Sequence, residues 1–566
     1  MAISLVACAQ VKTDKAVTQS LVAGSVQKDE PMSDEVLVEP SNLSSELLYS
    51  LLGGEIAGQR GDVSMASAFY LSAAKRSQDP GIALRAAQIA LYNKDVAAAK
   101  LAVDILVEDK NASVQAKRLA LTVYLRAGDV EKSLSQIRLL LEKNEIPKRN
   151  ALLAIGDVVS RHANKNTAIS VMTVLVGENV KEAGVFVARS QIMSNFSLFN
   201  QAQKDANKAV ELDANWQTGY VQLAQVLERK GDRQAALLVL KEASEKLKAR
   251  QLLMVYAQLL AKNKQYLAAK EQLLTLLKHE KNYPEARFSL GLVYLKLDDA
   301  ENAKATFKAL YEDNAFRSKV AFYLGRIADH QKQDEEALGW FGKVERSENY
   351  VDAQAAIAII KARSGDVRGA RSVTQRLRNE FPEATSRFYL LEAELLMGAR
   401  QYDVLYLLLT EAVNENPSDL ALRFARSIAA TEIDQLVEAE KDLLYVLDKT
   451  PSNASALNAL GYTLASKTFR FKEARKYLAK ALSLRPDDAA ILDSMGWLNY
   501  REGQYEQALV LLERAYKKTP EGEVAAHLGE ALWMLGRQME AMVIWQEALK
   551  RDAGNRYLIE VVKRLK

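Results

Sequence analysis

Cysteine is nearly missing from this chain: Cys8 stands alone among 566 residues, so no intramolecular disulfide can form. Proline is scarce, at ten, and glycine, at 26, is low for this length. With few helix breakers and much Ala, Leu, Glu and Lys, the composition favours helix. An excess of one charge is lacking too, because 76 basic and 72 acidic residues leave a formal net charge of +4. Nucleic acid is therefore not the default partner. Apolar runs are short. "LYLLL" at Leu405–Leu409 is typical of the longest, far below the ~20 residues that cross a bilayer.

Catalytic signatures are missing as well. No His-Glu-x-x-His, Gly-x-Ser-x-Gly or phosphate-cradling glycine loop occurs. The four histidines, His162, His279, His330 and His527, are scattered and have no cysteine ligand nearby, so each reads as a surface or packing residue. Acidic pairs such as Glu335-Glu336 and Asp487-Asp488 fall at helix starts or turns, where they suit the helix dipole. No catalytic residue, metal or cofactor is expected.

What the chain has is a period. The stretch "ILDSMGWLNYREGQYEQALVLLERAYKKTPEG" (Ile491–Gly522) carries a small residue at Gly496, another at Ala508 and a closing Pro520. The first marker recurs at 54, 87, 121, 156, 190, 224, 257, 291, 325, 358, 393, 427, 461, 496 and 529, always in steps of 33–35. The second marker is alanine in thirteen of the fifteen units, with Ser133 and Leu405 as exceptions. All eight prolines after Pro40 fall between units. Period-finding of this kind decides the architecture before any local reading does.

The pattern resembles the tetratricopeptide repeat, two antiparallel helices per unit, over about Leu43–Gly554. In the unit of Gly496 the marks fall on Leu492, Met495, Gly496, Ala508, Leu512, Ala515 and Pro520, with Asn499 where the usual aromatic would stand. Small residues at the two markers let the helices approach. Leu512, Phe307, Phe341 and Trp545 fill the space between layers, and Gly61, Gly128, Gly231, Gly365, Gly503 and Gly536 suit the helix stop at the inner turn. One unit cannot fold alone, so stability is a sum over neighbours. The fold class expected is all-α: a right-handed superhelical solenoid of about fifteen helix pairs. Residues 555–566 read as a capping helix with Tyr557, Leu558, Val561, Val562 and Leu565 on one face.

The N-terminus reads differently. "SLVACAQ" (Ser4–Gln10) resembles the lipobox of bacterial lipoproteins, in which the cysteine, here Cys8, carries the lipid. Seven residues precede Cys8 and none is basic, whereas a secretory leader has a charged start and an apolar stretch. Either the true start lies upstream or the match is coincidence. In lipoproteins of this kind a residue other than Asp after the cysteine, here Ala9, favours the outer membrane. The domains expected are a leader remnant at 1–8, a flexible tether at 9–42 with an r.m.s. reach of roughly 30 Å, the repeat array at 43–554 and the cap at 555–566.

A scaffold needs a binding surface, and first helices line the groove of such an array. Three residues before the marker stand Leu153, Val187, Val221, Met254, Phe288 and Phe322, an apolar run that could grip an extended chain or helix unless neighbouring helices cover it. Five after it, Arg126, Arg161, Arg229, Lys262, Lys296, Arg363 and Arg501 are basic, as helix C-termini favour. Toward the C-terminus Tyr462, Trp497, Tyr500 and Trp533 are expected to face the groove, as aromatic anchors do; packing on the neighbouring helix is the alternative.

The last units, "ALGYTLA", "ILDSMGWLNY" and "AAHLGEALWMLGR", resemble a family of Gram-negative tetratricopeptide lipoproteins on the periplasmic face of the outer membrane. The resemblance implies a non-catalytic adaptor. It would bind a carboxyl-terminal processing protease and deliver cell-wall hydrolases for degradation; its partners are proteins and, through the lipid, the membrane, with no nucleic acid and no small-molecule substrate. Two other readings stay open: a lipoprotein scaffold of an exopolysaccharide secretion or envelope assembly complex, and a cytosolic assembly protein if the lipobox is accidental.

Overall fold

The computed structural model describes residues 44–108, 112–142 and 146–565. The lipobox, Cys8 and the tether lie outside the described residues. Among those described, 31 α-helices follow one another with a single short 3-10 turn at Pro382–Ala384 and no strand. Thirty of them form fifteen units, each with a first helix (A) and a second (B), from Ser45–Gln59 and Val63–Ser77 to Gly522–Met534 and Gln538–Arg551. The last is Arg556–Leu565. No described helix is long and apolar enough to cross a membrane. The chain divides near Thr306 into two compact units.

Local chemistry starts and stops these helices. Asp62, Asp79, Asp95, Asn164, Asp232, Asp366 and Asp488 each accept a backbone N–H of the first turn. Pro80 and Pro284 occupy first helical positions, where no N–H is needed. At the inner turn one position, seven residues past the marker, adopts the left-handed region. Glycine holds it at Gly61, Gly128, Gly231, Gly365, Gly503 and Gly536, and Lys94, Ser197, Lys264, Asp298, Lys332, Arg400 and Asp434 hold it elsewhere at φ of 57–63°.

The two markers turn out to be half of a socket. A Cβ added to Gly529 would lie 2.0 Å from Trp545 Nε1, one on Gly325 2.7 Å from the Phe341 ring, and one on Gly496 2.7 Å from Leu512 Cγ. The glycine makes room for the large B-helix residue as much as for the helix itself. Second-marker alanines, from Ala66 to Ala541, are all buried.

One unit departs from the expectation. The helices Lys148–His162 and Lys165–Glu178 barely touch each other, and the first packs instead on Ala183–Asn195 of the following unit. A Cβ on Gly156 would meet Ala188, not a B-helix side chain. Its turn also differs: Ala163 is extended (φ −87°, ψ 147°) where most other units place a left-handed residue.

Candidate interaction surface

Consecutive A helices are stitched along their C-terminal ends. Arg229 donates to Ser194 Oγ at 2.9 Å, Lys262 pairs with Glu228, Arg363 reaches Asp329 at 2.8 Å and Arg501 donates to the Ser466 carbonyl at 2.7 Å. Each partner lies one repeat back. The basic residues five past the marker are thus engaged at these four units as links between units, beyond their favourable place at a helix C-terminus. Arg161 instead pairs with Asp157 of its own helix.

The apolar run does not lie open. Val187, Val221, Met254 and Phe322 are buried, and each belongs to a core cluster. Leu153 and Phe288 are partly buried. At these positions neighbouring helices come close enough to cover the side chain, the alternative left open for this run. In the C-terminal unit the aromatic residues are likewise packed. Trp497 stacks between Tyr500, with centroids 4.8 Å apart, and His527, at 4.1 Å. Trp533 stacks on Trp545 at 5.7 Å. Trp497 is therefore a member of a stack and partly buried.

Around that stack lies a polar cluster that the sequence did not single out. Tyr462 donates its phenol to Glu523 at 2.5 Å, across two repeats. His527 Nδ1 sits 3.0 Å from Asp493, one repeat back. The 34-residue spacing of Asp493 and His527 is the only signal the sequence held for this pair. The Arg556–Leu565 helix closes over the cluster. Its Arg564 bridges Glu530 at 2.5 Å, and its Arg556 pairs with Glu432, donates to Tyr557 at 2.7 Å and lies over the Tyr402 ring at 5.5 Å. Arg400 donates to the Gly554 carbonyl at 3.1 Å. Among the described residues no group of three His, Cys, Asp or Glu side chains is arranged to hold a metal ion.

Burial alone would disfavour the charged form of His527. Asp493, then Glu523 and Glu530, outweigh it and raise the pKa above its ordinary 6.5. Glu523 is also raised, first by burial. Both groups hold protons more tightly folded than unfolded. Such stability is complete below the unfolded pKa and is lost as pH rises through the folded one. For His527 the window opens at 6.5 and runs upward. The urea midpoint of the C-terminal unit is accordingly expected to fall as pH rises above 6.5, and His527→Gln to flatten that slope. The variant keeping the full wild-type slope would sink this assignment.

Models of the tetratricopeptide repeat match residues 257–315, 288–350, 454–488 and 494–556. The chain is 42% identical over 209 residues to a TPR repeat-containing protein of Pseudomonas aeruginosa. That match covers 37% of this chain and spans about a third, 35%, of the relative's length. Among solved structures, a chain of the APC/C hetero-tetramer Cut9-Hcn1 is similar at 15% identity and a TM-score of 0.35, covering 92% of this chain and 96% of that one. PilW, a type IV pilus biogenesis factor, is similar at 15% identity and a TM-score of 0.31, covering 38% of this chain and 100% of its own. The chain carries tetratricopeptide repeats in an all-α array, the architecture of a protein-interaction scaffold.

Proposed function

We propose that this protein is a non-catalytic adaptor, anchored by a lipid on Cys8 to the periplasmic face of the outer membrane, that binds a carboxyl-terminal processing protease and presents cell-wall hydrolases to it. The observation that carries the scaffold reading is the fifteen helix pairs filling the described chain from Ser45 to Arg551. They offer protein surface, and within those residues they leave no room for a separate catalytic domain. The anchor rests on the setting of Cys8, and the protease on the resemblance of the last three units to the adaptor lipoproteins. An adaptor of this kind works by proximity: holding enzyme and substrate on one array raises their effective concentration to the millimolar range without supplying a reacting group.

The test uses the full chain, captured from envelope extract of a Gram-negative host with bound proteins identified by mass spectrometry. A processing protease together with cell-wall hydrolases is the expected set. Capture that contains neither removes the adaptor reading. A palmitate analogue should label the wild type and not Cys8→Ser; label that persists in the variant, or is absent from both, removes the anchor.

A further inference from the structure

The C-terminal helix does more than cover the end of the array. Its apolar seam, Leu558 and Val561, packs on Leu528 and Leu532 of the last unit, and that seam alone would cap the core. Its charged groups go elsewhere. Arg556 reaches Glu432, 124 residues away, and Arg400 comes up to the Gly554 carbonyl from 154 residues away. Counted back from the last unit, the first contact skips two units and the second three, and they bring the helix across A helices in between. There Tyr557 comes within electrostatic range of Tyr462 and Glu523, and Arg564 within range of Tyr500. A cap requires none of this.

The face beneath has a definite chemistry. It holds the carboxylates Glu432, Asp493, Glu523 and Glu530 beside the rings of Tyr402, Tyr462, Trp497 and Tyr500. The helix laid on it, "RYLIEVVKRL", is amphipathic with arginine near each end. Glu530 is 5% exposed, and a carboxylate so buried is costly unless paired; Arg564 of the helix supplies the partner. Charge is complementary at both ends of the helix, Arg556 to Glu432 and Arg564 to Glu530, and its apolar residues pack on the last unit, as in helix-in-groove recognition.

We propose that this acidic, aromatic face is a binding groove for a basic amphipathic helix, and that the chain's own Arg556–Leu565 segment is its resident occupant, displaced by a partner segment of the same chemistry. The partner is thus a protein with a short helix bearing arginine or lysine at both ends of an apolar stripe. Nothing in this depends on the protease or on the lipid anchor, so it can fail while the adaptor reading stands, and the reverse.

The probe is a fluorescein-labelled peptide of residues 553–566, titrated by anisotropy into the full-length protein. Arg556 and Arg564 are partly exposed, so Arg556→Glu with Arg564→Glu leaves the apolar seam in place while opposing Glu432 and Glu530. In this double variant the amides of 556–565 should lose protection from hydrogen exchange. The peptide should bind it at least ten-fold more tightly than wild type, whose groove is filled. Glu432→Arg, made alone, should release the helix and refuse the native peptide, yet accept a peptide with Glu in place of Arg556. Three results would each overturn the proposal: unchanged protection in the double variant, equal peptide affinity for variant and wild type, or no charge preference in Glu432→Arg. Melting followed by circular dichroism checks that each variant is folded, and if the double variant is not, the charge preference of Glu432→Arg alone decides.

Discussion

Asp442→Ala is expected to cost the C-terminal unit about 3–5 kcal/mol, seen as a large drop in urea midpoint by circular dichroism. Asp442 is fully buried and accepts from Arg426 at 2.6 and 2.8 Å and from Arg423 at 2.9 Å. Removing it strands the Arg426 guanidinium, which is only 7% exposed, while Arg423 keeps its bond to the Pro417 carbonyl. An uncompensated buried charge is far more expensive than the net value of the pair. Replacing both ends with leucine, Arg426→Leu with Asp442→Leu, should therefore be milder than the single change. If Asp442→Ala shifts stability by less than ~1 kcal/mol, the pair is not desolvated as described. The array contains the arrangement twice: Arg189 and Asp205, at the same repeat positions, bond at 2.6 and 2.8 Å with Asp205 buried. Asp205→Ala is the internal control. Because most contacts in such an array join adjacent repeats, each change should act mainly on its own unit, and the unfolding curve of either variant should split into two steps.

The repeat was legible because its signals are local and periodic. Markers at 33–35 residues, prolines at the joints and alanines at the second position each reflect a contact within a unit or between adjacent ones. The turn rule was half legible. Glycine advertises a left-handed position, while Lys332 or Arg400 in the same conformation does not, and only alignment on the marker reveals them. The odd unit around Gly156 kept both markers and was still misread, since neither marker reports that its A helix packs on Ala183–Asn195 and not on its own B helix. Groove lining was left open between two readings for a different reason. Whether Val187 or Trp497 faces solvent depends on how closely successive A helices approach, and side-chain identity does not encode that distance. The C-terminal helix was recognisable by its apolar stripe. Its pairing with Glu432 was not, because a period of 34 names the neighbour one or two units away and is silent on a residue 124 positions back.

Trp545→Ala is expected to cost about 3–5 kcal/mol, and its pairing with Gly529 can be tested by rescue. Trp545 is 1% exposed and its indole occupies the space that a side chain at Gly529 would need. Gly529→Ala by itself should gain up to ~1 kcal/mol of helix propensity. The clash, with a Cβ 2.0 Å from Nε1, forces a rigid ring to move within a packed core, at a cost of about 1–3 kcal/mol. The net sign is therefore destabilising, against what propensity alone predicts. The chain itself shows which combination is tolerated. Where the first marker is alanine, the B-helix residue is never aromatic: Ala224 stands with Leu240, Ala257 with Leu273 and Ala393 with Leu409, each pair sharing a core cluster, and Ala358 stands with the buried Thr374. Where an aromatic residue fills the socket, as at Tyr70, Phe341 and Trp545, the marker is glycine. Gly529→Ala with Trp545→Leu should thus be more stable than the sum of its single changes, with a coupling of about 1–3 kcal/mol in a double-mutant cycle. Simple additivity would mean that glycine and tryptophan were selected separately and that the socket is not the unit of packing.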